Sequence, residues 1–199
     1  MRKHIPLLLM VVAISVFLSR CATSSVDFVT SQYDQVKKEK RIRMRITFPY
    51  VRERYTTFYS LQKDILKIIK ANGETQYQVF DRLNVSIDSY PLSDTVFLIA
   101  DNQAYPIVVR HRKTEIFHHP EVEKSQVRKN DSTTVSVISG VNEKEYKSIQ
   151  FQYPLTRQEV NALQHADSAS FQYYANPDVY KLKLSYYTLK RLKKFFAKQ

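Results

Sequence analysis

The most constraining feature of this sequence is a strict alternation of apolar and polar residues that begins at Arg41. Every second side chain is apolar, and the positions between them carry three arginines and a threonine. The apolar set is Ile42, Met44, Ile46 and Phe48, and the polar set is Arg41, Arg43, Arg45 and Thr47. Because a period of two places the two sets on opposite faces of an extended chain, the segment predicts a half-buried β-strand.

Further strand signals recur along the chain. Glutamines alternate with Ile149, Phe151 and Tyr153, and lysines alternate with Leu182 and Leu184. Shorter apolar runs predict further strands at Leu83–Ile87, Val96–Ala100, Ile107–Val109, Thr133–Ser139 and from Phe171. With only 2 glycines among 199 residues, turns must rely on Asn, Asp and Pro. The pair Asp101-Asn102 is expected to turn between two of the strands, and Pro106 predicts an edge position or a strand start.

Three segments predict helices. Leu61, Ile65, Ile68 and Ile69 recur at helical spacing after Ser60, with Asn72-Gly73 as the expected stop. Thr156 and Glu159 form a capping box for a helix that runs to about Ala166. Thr188 is expected to cap a last helix whose apolar side is Leu189, Leu192, Phe195 and Phe196. With no regular βαβ alternation, the fold predicted is mainly antiparallel β with packed helices, either a β-sandwich or α+β, in one globular domain over residues 41–199.

The first twenty residues have the pattern of a secretory signal peptide. Arg2 and Lys3 provide a basic start, and the apolar run Ile5–Leu18 follows, interrupted by Pro6 and Ser15. This run is shorter than the roughly 20 residues that a membrane-spanning helix needs. We therefore expect residues 1–20 to be a leader.

The stretch Leu18-Ser19-Arg20-Cys21 resembles the lipobox of bacterial lipoproteins, although Arg20 stands where that family usually has a small residue. The resemblance implies cleavage before Cys21, a thioether-linked diacylglyceryl group and an N-acyl chain such as palmitate. No aspartate precedes Asp27, which by the same resemblance implies the outer membrane, facing the periplasm. The body also resembles uncharacterised small exported lipoproteins, which end in a strand and a helix. Residues 21–40 are then expected to be a lipid-anchored tether.

Composition narrows the expected chemistry. The net charge of +12 remains clearly basic without the three cations of the leader, which favours anionic partners. The single cysteine excludes an internal disulfide and sites built from several thiolates. No Gly-rich phosphate loop, GxSxG elbow or HExxH motif is present. We therefore predict no cofactor and no catalytic residues, and export argues against a nucleic-acid partner.

Two clusters are candidate sites. Arg41, Arg43 and Arg45 would project from one side of a strand about 7 Å apart, a row that suits phosphates or carboxylates, although a solvated or edge-protecting row explains them too. His111, Glu115 and His119 offer metal-ligand chemistry, but on a strand they would stand about 13 Å apart in turn. We interpret these histidines as structural or surface residues, and regard them as weak metal candidates.

The sequence thus predicts a membrane-anchored cell-envelope lipoprotein that binds or scaffolds an anionic component or an envelope protein without catalysis. One alternative is an envelope hydrolase or metal-binding protein that uses the His111 and His119 region. Another is a structural subunit of an envelope assembly. Lipidation at Cys21 is the prediction on which the location depends.

Overall fold

The computed structural model describes residues 25–49, 57–130 and 133–197. Cys21, the predicted signal peptide and the first residues of the expected tether lie outside them. The strands, numbered along the chain, are β1 (Ser25–Asp34), β2 (Glu39–Phe48), β3 (Phe58–Ile69), β4 (Thr75–Ser86), β5 (Thr95–Ala100), β6 (Gln103–Val108), β7 (Arg110–Asn130), β8 (Thr133–Leu155), β9 (Ala169–Ala175) and β10 (Asp178–Lys183). The helices are α1 (Arg157–His165), between β8 and β9, and α2 (Tyr186–Ala197), at the end.

The strands form two antiparallel sheets, which confirms the predicted fold class. A six-stranded sheet has the order β1-β2-β3-β4-β8-β7, and a four-stranded sheet has the order β10-β9-β5-β6. Their apolar faces contribute to one hydrophobic cluster, in which Ile46 and Ile65 of the larger sheet and Leu98 and Phe171 of the smaller one have no or almost no exposed surface. The two sheets therefore share one core, as in a sandwich.

The alternating segment that begins at Arg41 lies in β2, as predicted, but the sheet begins earlier in the chain than expected. Strand β1 occupies much of the segment expected to be a tether, and its register with β2 runs from Ser25 opposite Thr47 to Asp34 opposite Glu39. Pairing satisfies backbone groups along the edge of β2 that would otherwise be unpaired. The expectation of a tether over residues 21–40 was therefore wrong for residues 25–40.

The predicted helix at Leu61 to Ile69 was also wrong, because this segment is strand β3. It pairs with β2 on one side and β4 on the other. The odd-numbered residues from Leu61 to Lys67 point into the core, so two lysines face inward. Asn72-Gly73 does not stop a helix; Gly73, at φ 81°, lies in the turn between β3 and β4, and its amide donates to Lys70 O at 2.9 Å.

Several local predictions are confirmed. Asp101 and Asn102 have positive φ values of 44° and 69° and form the two-residue turn between β5 and β6. Pro106 lies in β6, an edge strand. The capping box is present at α1, where the backbone amide of Thr156 donates to Glu159 Oε2 at 2.6 Å.

The last helix begins earlier than predicted. Ser185 rather than Thr188 caps it, since the Thr188 amide donates to Ser185 Oγ at 3.2 Å. Its apolar stripe packs into the protein's own core, with Leu192 fully buried. Lys67 Nζ donates to the carbonyl oxygen of Phe196 at 2.8 Å, which ties the last turn of α2 to β3. Cations at a helix C-terminus are favourable because the orphan carbonyls there carry partial negative charge.

The hairpin β7–β8 extends beyond the rest of the larger sheet. Strand β8 pairs with β4 only from Tyr146 to Leu155, whereas its pairing with β7 begins at Thr133, opposite Asn130. The segment before Tyr146 therefore forms, with β7, a two-stranded arm. At about 3.3 Å per residue, thirteen residues of β8 from Thr133 to Glu145 extend roughly 40 Å.

Candidate anion-binding site

The polar face of the six-stranded sheet carries a groove of about 500 Å³. Strand register builds it, because Gln62 of β3 lies opposite Arg82 of β4, Arg82 opposite Gln150 of β8, and Gln150 opposite Lys113 of β7. A parallel row places Arg45, Asp64, Phe80 and Gln152 side by side across four strands. The groove is thus lined by four cations, Arg43, Arg45, Arg82 and Lys113, by neutral amides, and by two aspartates, Asp64 and Asp81.

The three arginines predicted to share a face of β2 do so, but each has a carboxylate beside it. Arg41 Nη2 contacts Glu39 Oε1 at 2.6 Å and Asp34 Oδ2 at 3.5 Å. Arg43 and Arg45 both bind Asp64 on the neighbouring strand. Arg41 does not line the groove; it lines an adjoining depression of about 380 Å³, which Arg43 and Asp64 also line.

Asp64 holds Arg43 and Arg45 in position on the sheet. Arg45 donates through Nε to Asp64 Oδ1 at 2.8 Å and through Nη2 to Oδ2 at 3.1 Å, while Arg43 also donates to Oδ2. Burial raises the pKa of Asp64, but the hydrogen bonds from Arg45 and Arg43 outweigh it, so the net shift of the pKa is downward. The carboxylate is therefore charged at neutral pH, and its single charge is shared between two guanidinium groups.

An aromatic contact further restricts the guanidinium group of Arg45. The guanidinium carbon of Arg45 lies 4.5 Å from the ring centroid of Phe28 on β1, a cation–π contact. Phe80 is 40% exposed in the middle of the groove. A guanidinium held between a carboxylate and an aromatic ring loses little further freedom when it binds a ligand.

The other cations are less restrained. Arg82 is exposed and has no ion-pair partner among the residues that the structure describes. Lys113 Nζ contacts Glu115 Oε1 at 2.5 Å at the rim of the groove, and Gln150 Nε2 also donates to Glu115 at 3.2 Å. Asp81 also lines the groove, but its carboxylate has no exposed surface and is paired with Lys63. Of the remaining carboxylates, Asp64 lies in the groove and Glu115 at its rim, so the four cations exceed these two by two.

The predicted metal candidates are not brought together. His111, with φ 51°, lies at a register shift at the start of β7 and lines the groove, whereas Glu115 faces Lys113 and Gln150. His119 pairs with Lys144 farther along the arm. Within the described ranges, no group of three or more His, Cys, Asp or Glu side chains is arranged to hold a metal ion.

A second polar cluster, which the sequence did not reveal, lies between the two sheets. Lys63 has no exposed surface, and its Nζ lies 2.8 Å from both carboxylate oxygens of Asp81. The hydroxyls of Tyr153 and Tyr173 donate to Asp81 Oδ2 at 2.9 and 2.8 Å, and Lys63 Nζ lies 3.8 Å from the ring centroid of Phe171. We call these four residues, Lys63, Asp81, Tyr153 and Tyr173, the buried tetrad.

Burial shifts the pKa values of three members of the buried tetrad. Burial lowers the pKa of Lys63, and the adjacent Asp81 carboxylate partly opposes that shift. Burial, reinforced by the charge of Asp81, raises the pKa of Tyr153 and Tyr173 well above that of free tyrosine. Since the two phenols are held protonated as hydrogen-bond donors, the tetrad is a structural network joining the sheets.

Comparisons of the chain with protein-family models, with curated proteins and with solved structures find no match. Neither helix in the described part of the chain is long and apolar enough to span a bilayer.

Proposed function

We propose that this protein is a lipid-anchored, non-enzymatic binding module of the bacterial cell envelope that binds an anionic ligand on the outer face of its six-stranded sheet. The observation that carries the proposal is the charge imbalance of the groove, where four cations face only the carboxylates of Asp64 and, at the rim, Glu115, since the Asp81 carboxylate is buried against Lys63. Guanidinium groups and amides suit carboxylate, phosphate or sulfate oxygens. The proposed location is the outer membrane, facing the periplasm, with the lipid on Cys21.

A pair of double variants with the same loss of charge tests the groove. Arg82→Gln/Lys113→Gln removes two cations from it, and Lys181→Gln/Lys183→Gln removes two exposed cations from β10 in the other sheet. The probe is a fluorescein-labelled heparin hexasaccharide, followed by anisotropy at low salt. Losing two charge-assisted contacts should weaken binding about tenfold or more in the groove variant.

The control variant separates a site from general attraction. If binding depends only on net charge, both double variants will weaken it equally, and the groove is not the site. If the unaltered protein binds neither this probe nor lipopolysaccharide at low salt, anion binding itself is refuted.

A second candidate, the structural subunit of an envelope assembly, is favoured by the arm. An isolated two-stranded ribbon is only marginally stable in water, and it exposes backbone groups along both edges. Replacing residues Glu121 to Asn142 with Asn-Gly should leave hexasaccharide affinity unchanged. Loss of a stoichiometric membrane partner from the purified complex would support this role, whereas an identical set of co-purifying proteins would exclude the arm as the contact.

A further inference from the structure

The outward side of α2 forms a surface that the anion-binding groove does not use. Its exposed tyrosines and cations are Tyr186, Tyr187, Lys190, Arg191 and Lys194, which we call the α2 face. Tyr186 and Tyr187 are 68% and 77% exposed, the highest values among the exposed tyrosines of the described chain. The opposite side of the helix is buried in the core, so this side alone is available for contact.

The chemistry of the α2 face suits a lipid headgroup layer. The helix carries four cations and no acidic residue. Tyrosines placed beside lysines and arginines are typical of membrane–water interfaces, because the ring is apolar and the hydroxyl remains hydrated. Basic residues near an anionic leaflet are attracted to it over about a Debye length.

The α2 face lies next to the start of β1, the strand that follows the predicted lipid site in the sequence. Arg191 Nη1 lies 3.4 Å from the carbonyl oxygen of Val26, so α2 contacts the beginning of β1. Tyr187 lies one helical turn before Arg191 and therefore on the same side. From Cys21 to Ser25 the chain has four residue steps, which reach at most about 14 Å. A lipid on Cys21 would thus hold this end of the body close to the headgroups.

We propose that the α2 face is a docking surface for the anionic bilayer that carries the anchor, so that the body is held in one orientation on the membrane. The inference rests on the lipid anchor of the proposed function. Because Leu189 and Leu192 pack in the core, the helix does not insert, and contact is limited to tyrosine rings and cations at headgroup depth. In this orientation the far end of β1, about 26 Å from Val26 at 3.3 Å per residue, points away from the bilayer.

The chain contains no tryptophan, which makes a single introduced indole an unambiguous probe. The acylated full protein is purified from membranes as Tyr187→Trp and, as the matched control, as Tyr33→Trp. Tyr33 is 59% exposed and lies near the far end of β1. Each variant is reconstituted into phosphatidylcholine–phosphatidylglycerol vesicles with or without brominated acyl chains, which quench indole emission at short range.

We expect bromine to quench the Tyr187→Trp protein several-fold more than the Tyr33→Trp protein. Adding Lys190→Gln/Lys194→Gln should reduce this quenching, whereas Lys37→Gln/Lys38→Gln, at the β1–β2 turn, should leave it unchanged. Equal quenching of the two indoles would overturn the inference. So would quenching that is unaffected by phosphatidylglycerol and by the two lysine substitutions on α2, because the charge argument would then be wrong.

The fate of the anchor is measured in the same preparation by intact mass. If Cys21 is acylated and the indoles are quenched equally, the docking proposal is refuted and the lipid anchor is confirmed. If Cys21 is not acylated, the prediction of a lipid anchor is refuted. The same proteins are then mixed with preformed vesicles. Selective quenching of Tyr187→Trp would then still support docking, and its absence would refute it.

Discussion

Breaking the buried tetrad on one side should be far more costly than replacing its ion pair as a whole. In Asp81→Leu, the Lys63 ammonium loses both carboxylate contacts at 2.8 Å and keeps only the Tyr153 hydroxyl and the aromatic ring faces. In Lys63→Met, the carboxylate keeps two phenol donors but has no counter-ion. Removing one partner of a fully buried pair costs about 3–5 kcal/mol of the free energy of unfolding.

The double variant Lys63→Met/Asp81→Leu removes both charges and fills a similar volume with apolar atoms. The remaining phenols can hydrogen-bond to each other, since Tyr153 and Tyr173 already interact. Such replacements are often nearly neutral. We therefore expect the double variant to cost about 0–2 kcal/mol, less than either single variant.

Urea unfolding of the unaltered protein, the two single variants and the double variant, followed by far-ultraviolet circular dichroism, measures this double-mutant cycle. The exposed pair Lys70–Glu74, with 3.0 Å between Nζ and Oε2, provides the control, because Lys70→Met and Glu74→Leu should each change stability by less than about 1 kcal/mol. If the double variant costs as much as the sum of the singles, Lys63 and Asp81 do not stabilise each other, and the tetrad is not a coupled network.

Three further predictions concern other parts of the molecule. The pKa of Asp64 is lowered from 3.8 in the folded protein, so the ionised carboxylate stabilises the fold fully above pH 3.8, and this stabilisation is lost as the pH falls below 3.8. The variant Asp64→Asn should therefore show a smaller change in the urea midpoint between pH 5 and pH 2.5 than the unaltered protein. A similar acid response in both proteins would refute this. Thr156→Ala, which removes the hydroxyl that contacts Glu159, should cost about 1 kcal/mol in the same assay, and an unchanged midpoint would contradict a stabilising cap. Cys21→Ser should fail to incorporate labelled palmitate and should leave the membrane fraction; continued labelling would place the lipid elsewhere.

The sequence predicted the elements whose signals are local. The alternation of β2, the Asp101-Asn102 turn and the Thr156–Glu159 box each depend on residues a few positions apart, and each is present. The outward projection of Arg43 and Arg45 followed from the same alternation. Their shared partner Asp64 could not be predicted, because it lies on a strand that the sequence pattern assigned to a helix.

The misassigned helix has a physical cause. A strand over Leu61 to Ile69 requires Lys63 and Lys67 to face the core, which the usual cost of burying a charge argues against. Their partners, Asp81 and the carbonyl of Phe196, lie 18 and 129 positions away. Only the folded chain brings these groups together, so the sequence alone favours a helix through the spacing of its isoleucines.

The arm also has a mechanical consequence. Strand β8 runs as one strand from Thr133 at the distal end of the arm into the larger sheet, where ten of its residues pair with β4. Hydrogen bonds in an antiparallel pair lie perpendicular to the strands, so a pull on β8 along its length would load them together rather than one after another. Tension applied at the distal end would therefore reach the core along the direction in which paired strands resist separation most strongly.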